Sequence, residues 1–196
     1  MTGTIPLASP AAVSALQLAC RRAAACAMPL ALDVNWRPTF WNPAADPASG
    51  PTAEQITAMG PLLEQAALIK CAREEADWLF GTTDPCELSS ALPQRPSVVV
   101  TNGAAPLRWW LGGVAGELPA LAVAVVDSTG AGDAFTAGLL HGLIQAPGLL
   151  TAGSAEPVRR LMGFASACGA LVCQGAGAID PQPSAAEAEA LLTATG

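Results

Sequence analysis

Val123-Ala124-Val125-Val126-Asp127-Ser128-Thr129-Gly130-Ala131-Gly132-Asp133 takes the chain from an apolar run through a glycine turn into a segment of small and apolar residues. This is the pattern of a strand, a tight turn and a helix start. Two glycines admit backbone conformations and close approaches that a side chain would block. Successive N–H groups can then point at one anion, at the positive end of the helix dipole. Phosphate suits such a turn, and Asp133 would lie close enough to take a proton from a hydroxyl in line with it. Read alone, Gly-Ala-Gly-Asp more often marks an ordinary strand-to-helix connection, with the acid complementing the dipole, so both readings stay open on these four residues.

Upstream, Val13, Leu16 and Cys20 recur at helical spacing within Ala11 to Ala27, and Pro29 stops that helix. Leu30 to Val34 reads as a strand feeding the loop Asn35-Trp36-Arg37-Pro38, and Pro38 to Pro51 as surface loop. Thr52 is placed to cap a helix running towards Gln65, with Gly60-Pro61 expected to interrupt or kink it. Ala67 to Lys70 is predicted as a strand, Arg73 to Phe80 as a helix closed by Gly81, and Ser97 to Thr101 as a buried strand. Leu107 to Leu111 and Val114 to Leu118, joined by Gly112-Gly113, predict a hairpin. Ala122 to Val126 is expected to be another buried strand, followed by helices over Ala131 to Gln145, Ala155 to Cys173 and Ser184 to Ala194. The alternation predicts an α/β fold, a doubly wound and mostly parallel sheet with flanking helices, whose ligand site gathers at the loops after the strand C-termini.

With 196 residues the chain is read as one domain, 1–196. Hydrophobic residues make up 52% and charged residues 13%, which excludes disorder by composition. A net charge of -7, with Lys70 the only lysine, leaves no basic stripe for nucleic acid or anionic lipid. The charge-free stretch Ala134 to Ala155 is diluted by glycines, His141 and Pro147, and reads as a buried helix and a loop rather than a membrane span. The first residues lack the charged and apolar regions of an export signal, so the expected location is the cytoplasm. The cysteines, at 20, 26, 71, 86, 168 and 173, form no Cys-x-x-Cys pair and are read as small buried hydrophobes. His141 and the tryptophans are assigned to packing.

Asp127-Ser128-Thr129-Gly130-Ala131-Gly132-Asp133-Ala134-Phe135, with Ala137-Gly138 beyond, closely resembles the signature of the ribokinase-like (PfkB) carbohydrate kinases. Further landmarks are Leu7 to Pro10, Leu32-Asp33-Val34-Asn35-Trp36-Arg37-Pro38, Ile69-Lys70 with Glu74-Glu75, Val98 to Gly103, and Gly169 through Ile179. Asp-Val-Asn-Trp-Arg-Pro-Thr-Phe-Trp is most similar to the fructokinase branch. The resemblance implies an ATP-dependent phosphotransferase acting on a sugar hydroxyl, with fructose the favoured acceptor and 2-keto-3-deoxygluconate or related sugars still open. It makes Asp133 the general base and Gly130, Ala131 and Gly132 the anion hole. Thr101, Gly103, Ser166 and Gly177 fall at ATP-binding positions. Asn35 and Arg37 fall on the substrate side, together with Asp133. Glu75 matches the acidic residue that organises Mg2+ through water, and Asp127 and Thr129 match positions beside a monovalent cation such as K+. The implied partners are ATP and a small sugar, with a homodimer as a further option and neither nucleic acid nor membrane.

Three positions depart from the family pattern. Ala72 stands where Asn or Ser is usual, Pro106 replaces a second glycine, and Asn102 replaces an apolar residue, which weakens the expected metal network and reshapes the nucleotide loop. The landmarks begin in the middle of the family pattern, so its first strands, Gly-Gly substrate motif and β-lid are expected to fall outside this chain. A nucleotide-binding module without turnover is therefore the competing expectation. Gly-x-Gly-x-x-Gly, Gly-x-Ser-x-Gly and His-Glu-x-x-His are all missing, which argues against dinucleotide oxidoreductase, serine hydrolase and zinc protease readings.

Overall fold

Three short apolar runs pair side by side as parallel strands: β1 (Ala31–Asp33), β2 (Leu68–Ala72) and β3 (Ser97–Thr101). The register sets Leu32 opposite Ile69 and Ile69 opposite Val98. Val98, Val99 and Val100 are all buried, as strands covered on both faces require. The computed structural model describes residues 2–195. Its backbone contacts separate two units, Met1–Thr101 and Asn102–Gly196.

Parallel neighbours need long crossovers, and helices supply them in the first unit. α1 (Pro10–Ala25) precedes β1, α2 (Pro38–Trp41) and α3 (Ala53–Leu63) connect β1 to β2, and α4 (Arg73–Phe80) and α5 (Pro85–Ala91) connect β2 to β3. Leu32, Val34 and Ile69 from the strands close a core with Met59, Leu62 and Leu63 of α3 and Leu88 of α5. Thr52 caps α3 in a reciprocal box with Gln55. The helix then runs through Gly60-Pro61 to Leu63 without an interruption there. Pro61 sits in the last turn, so its missing N–H costs the helix a single backbone bond, the one to the Thr57 carbonyl. Gly81 ends α4 at φ +66, as its sequence position suggests.

In the second unit β4 (Leu107–Leu111) and β5 (Val114–Leu118) form the expected hairpin. Gly112 and Gly113 have φ of +56 and +85, a two-residue turn with both central residues left-handed. α6 (Ala131–Gln145) and α7 (Ala155–Val172) follow, then α8 (Ala185–Thr195), which Ser184 and Glu187 cap reciprocally. Small residues let α6 and α7 approach closely in antiparallel fashion. A Cβ on Gly169 would lie 3.0 Å from the Ala131 carbonyl oxygen, and one on Gly138 would lie 2.8 Å from the Cys168 sulfur.

Several expectations need correction. Ala122 to Val126 is not a buried strand: the segment has no ladder partner, and Val125 and Val126 are 65% and 66% exposed. Val126 and Asp127 instead donate their N–H groups to the Cys173 carbonyl just past α7, at 2.7 and 3.3 Å. β-branched composition favours a strand only where another strand offers hydrogen bonds. The loop from Pro38 contains α2, started by a proline at its first turn, and α5 lies in a stretch that carried no prediction. Cys26 and Cys86 are exposed, while Cys20, Cys71 and Cys168 are buried as expected. Among the described residues, no helix is long and apolar enough to cross a membrane.

Candidate functional site

The predicted site residues fall into two sets, one in each unit. In the second unit the turn before α6 is built around Asp127. Its Oδ1 accepts the Thr129 N–H at 2.9 Å and the Thr129 hydroxyl at 2.7 Å, and its Oδ2 accepts the Gly177 N–H at 2.9 Å. These donors favour the charged form and hold the Asp127 carboxyl below its ordinary value. One side chain thus ties the residues leading into the turn to the loop after α7.

Gly130 is the N-cap of α6 at φ +83. A Cβ there would lie 2.7 Å from that of Ala178, so this position combines a left-handed backbone with a close approach. Among the three residues assigned to the anion hole, Ala131 already donates its N–H to the Ser128 carbonyl at 3.2 Å. The N–H groups of Gly132 and Asp133, second and third in the helix, have no carbonyl one turn earlier to accept them, and they face the same helix end. Of the expected anion-hole residues, Ala131 thus has its N–H engaged within the turn, while the N–H of Gly132 lies at the open helix end. Asp133 is exposed in this first turn. Gly177 reaches φ +78 and joins the turn through Asp127, whereas the Ser166 hydroxyl in α7 is buried without a hydrogen-bond partner among the described residues. Gly103, at φ +54, follows β3 in a turn closed by the Ala105 N–H on the Asn102 carbonyl at 2.9 Å.

In the first unit the residues cluster where β1 and β2 end. Asp33 and Lys70 form a buried ion pair, with Nζ 3.1 Å from each carboxylate oxygen. Glu75 is 7% exposed, accepting the Trp36 N–H at 2.6 Å on Oε1 and the Ala72 N–H at 2.7 Å on Oε2. Burial raises its carboxyl above the ordinary value, and the two backbone donors pull the other way without cancelling it. Asn35 has φ +44, and Arg37 is exposed with Nη1 donating to the Trp36 carbonyl at 2.9 Å. The Thr101 hydroxyl, at the end of β3, donates to the Cys71 carbonyl at 3.4 Å.

Sequence reading passed over Asp33, Lys70 and Trp36 as individual residues. The available signal was an acid and the only lysine inside apolar strand runs, since buried charges need partners. The chemistry of this set does not fit a magnesium site. Both Glu75 oxygens are engaged by main-chain donors, Lys70 neutralises Asp33, and the described residues contain no group of three His, Cys, Asp or Glu that could hold a metal.

The model of the pfkB family of carbohydrate kinases matches residues 1–185, through both units. The chain belongs to that family. This pfkB chain is 36% identical over 197 residues to the probable chloroplastic fructokinase-6 of Arabidopsis thaliana, covering 98% of itself and 49% of that relative. It superposes on the fructokinase of Xylella fastidiosa with bound ATP at a TM-score of 0.81 and 26% identity, over 98% of this chain and 60% of that one. A double mutant of the Vibrio cholerae O395 fructokinase, with fructose, ADP and potassium ion bound, gives 0.79 and 27%, over 97% and 58%. The doubly wound α/β class read from the sequence is therefore the fold of this chain. The pfkB chain spans about half the length of the curated relatives it matches.

Proposed function

We propose that this chain, read as one domain over 1–196, carries the phosphoryl-transfer centre of an ATP-dependent sugar kinase of the fructokinase branch. The observation that carries the reading is the turn at Asp127 to Asp133. Fixed glycine geometry opens the N-terminus of α6, and an exposed carboxylate stands in that helix's first turn. The Asp133 carboxylate takes the proton of the acceptor hydroxyl. The hydroxyl oxygen bonds to the γ-phosphorus of ATP, the bond from that phosphorus to the β–γ bridging oxygen breaks, and ADP leaves. N–H groups at the start of α6 stabilise the charge on the transferring group.

Thr101, Gly103, Ser166 and Gly177 are proposed to serve ATP, and the Ser166 hydroxyl supports this because it lacks a partner within the protein. Asn35 and Arg37 are proposed to serve the acceptor, where a planar guanidinium suits either a sugar oxygen or its phosphate. Fructose is the favoured acceptor, supported by the fructokinases among the relatives. Magnesium would come with the nucleotide phosphates and their water. A potassium ion beside Asp127 and Thr129 draws support from the potassium-bound Vibrio fructokinase.

The test is sugar-stimulated ADP release over a panel of ketoses, aldoses and sugar acids. The proposal expects fructose to stimulate it and Asp133→Ala to abolish the stimulated rate. A nucleotide-binding module without turnover is the second reading, favoured by Ala72 and Pro106. Calorimetric ATP binding with no sugar-dependent release would select it.

A further inference from the structure

Glu75 is the third residue of α4, where an acid ordinarily closes a capping box on its own N-cap. One oxygen does so here, on the N–H of Ala72, an N-cap with no side-chain oxygen of its own. The other oxygen reaches 39 positions back to the Trp36 N–H. The carbonyl of Trp36 is taken by Arg37, and its indole N–H donates to the Ser49 carbonyl at 2.8 Å. Trp36 is thus gripped at every polar group between Asn35 and Arg37. Asn35 adopts φ +44, in the left-handed region that asparagine enters more readily than most residues with a side chain. The Glu75 carboxylate is the restraint attached to the next residue along.

We infer that Glu75 is a positioning residue, which fixes the Asn35–Arg37 segment to the start of α4 and does not serve magnesium. The role of that segment towards the acceptor rests on the kinase reading, while the clamp itself does not. The carboxylate is held by two fixed amides at 2.6 and 2.7 Å, and with 7% of the residue exposed its further lone pairs face a nearly closed site rather than open solvent.

The experiment has three arms. In the first, backbone amide hydrogen exchange is compared between the wild type and Glu75→Gln. A carboxamide presents an N–H in place of one acceptor, so exchange at Trp36 or Ala72 is expected to rise about tenfold or more, with Val98 to Val100 unchanged. Equal exchange at both amides overturns the inference. In the second arm, magnesium chloride alone is titrated into the wild type, and the Trp36 and Ala72 amide resonances are expected to stay in place. A saturable shift of both overturns it, and this arm decides even where the substituted protein does not fold. In the third arm, Glu75→Gln is expected to raise KM for the sugar several-fold and to leave KM for ATP and the magnesium midpoint alone, whereas a moved magnesium midpoint overturns it. A wild type without sugar-dependent turnover counts against the kinase reading, and the first two arms still decide the clamp.

Discussion

Replacing Gly130 by alanine tests whether the turn proposed to hold phosphate is fixed by backbone geometry, by contact, or by both. Gly113 is its control, because both lie in the second unit with nearly the same φ, +83 and +85. A Cβ on Gly113 meets nothing within 4 Å, whereas one on Gly130 meets the Ala178 Cβ at 2.7 Å and its Cα at 3.0 Å. Gly113→Ala should therefore lose only the left-handed penalty of an L-residue, about 1–2 kcal/mol. Gly130→Ala should lose that and an overpacking term of about 1–3 kcal/mol. The assay is urea denaturation of both variants, of Ala178→Gly, and of the Gly130→Ala, Ala178→Gly double variant. The cycle should return a favourable coupling of about 1 kcal/mol. Recovery stays partial because the Ala178 Cα remains close. ATP affinity by calorimetry should fall for Gly130→Ala and hold for Gly113→Ala. Equal destabilisation of the two single variants, with no coupling to Ala178, would refute the claim that contact with Ala178 holds the turn.

Four further outcomes follow from the side-chain environments. Lys70→Met removes the countercharge of Asp33, which is 3% exposed, and should destabilise by about 3–5 kcal/mol, with much of the loss recovered by adding Asp33→Leu. Thr52→Ala should cost about 1 kcal/mol through loss of the α3 cap, read as a lower denaturation midpoint. The folded-state value of Glu75 lies above its ordinary 4.5, so the unfolded chain releases that proton first. Wild-type stability relative to Glu75→Gln should fall as pH rises from that value through the folded one. Asp127 lies below its ordinary 3.8, so the advantage of the wild type over Asp127→Asn is present above that value and shrinks as pH drops through the folded one. Denaturation series across pH read both signs.

The sequence exposed most clearly those elements whose signals are local. Arg73–Phe80, Ser97–Thr101, the Gly112-Gly113 hairpin and Ala131–Gln145 each carry their period and their stop residues within a few positions, and the structure keeps those limits. Ala122 to Val126 misled because a valine-rich run advertises a strand without saying whether another strand is there to pair with it. At the site, Asp127 to Asp133 was legible as a turn, but the tie from Asp127 to Gly177 joins residues 50 apart and shows only in three dimensions. The same holds for Glu75. Its first-turn position is visible in the sequence, while its grip on Trp36 is not.

The tight seam between α6 and α7 makes the turn before α6 vulnerable from a distance. Gly169 lies in the partner helix, outside the motif, yet any side chain placed there pushes on the carbonyl of Ala131 at the mouth of α6. A substitution that looks like harmless helix strengthening, glycine to alanine in mid-helix, would be felt first at the turn. In this protein the sensitive perimeter of the Asp127–Asp133 turn extends along a neighbouring helix, and a survey confined to the motif would miss it.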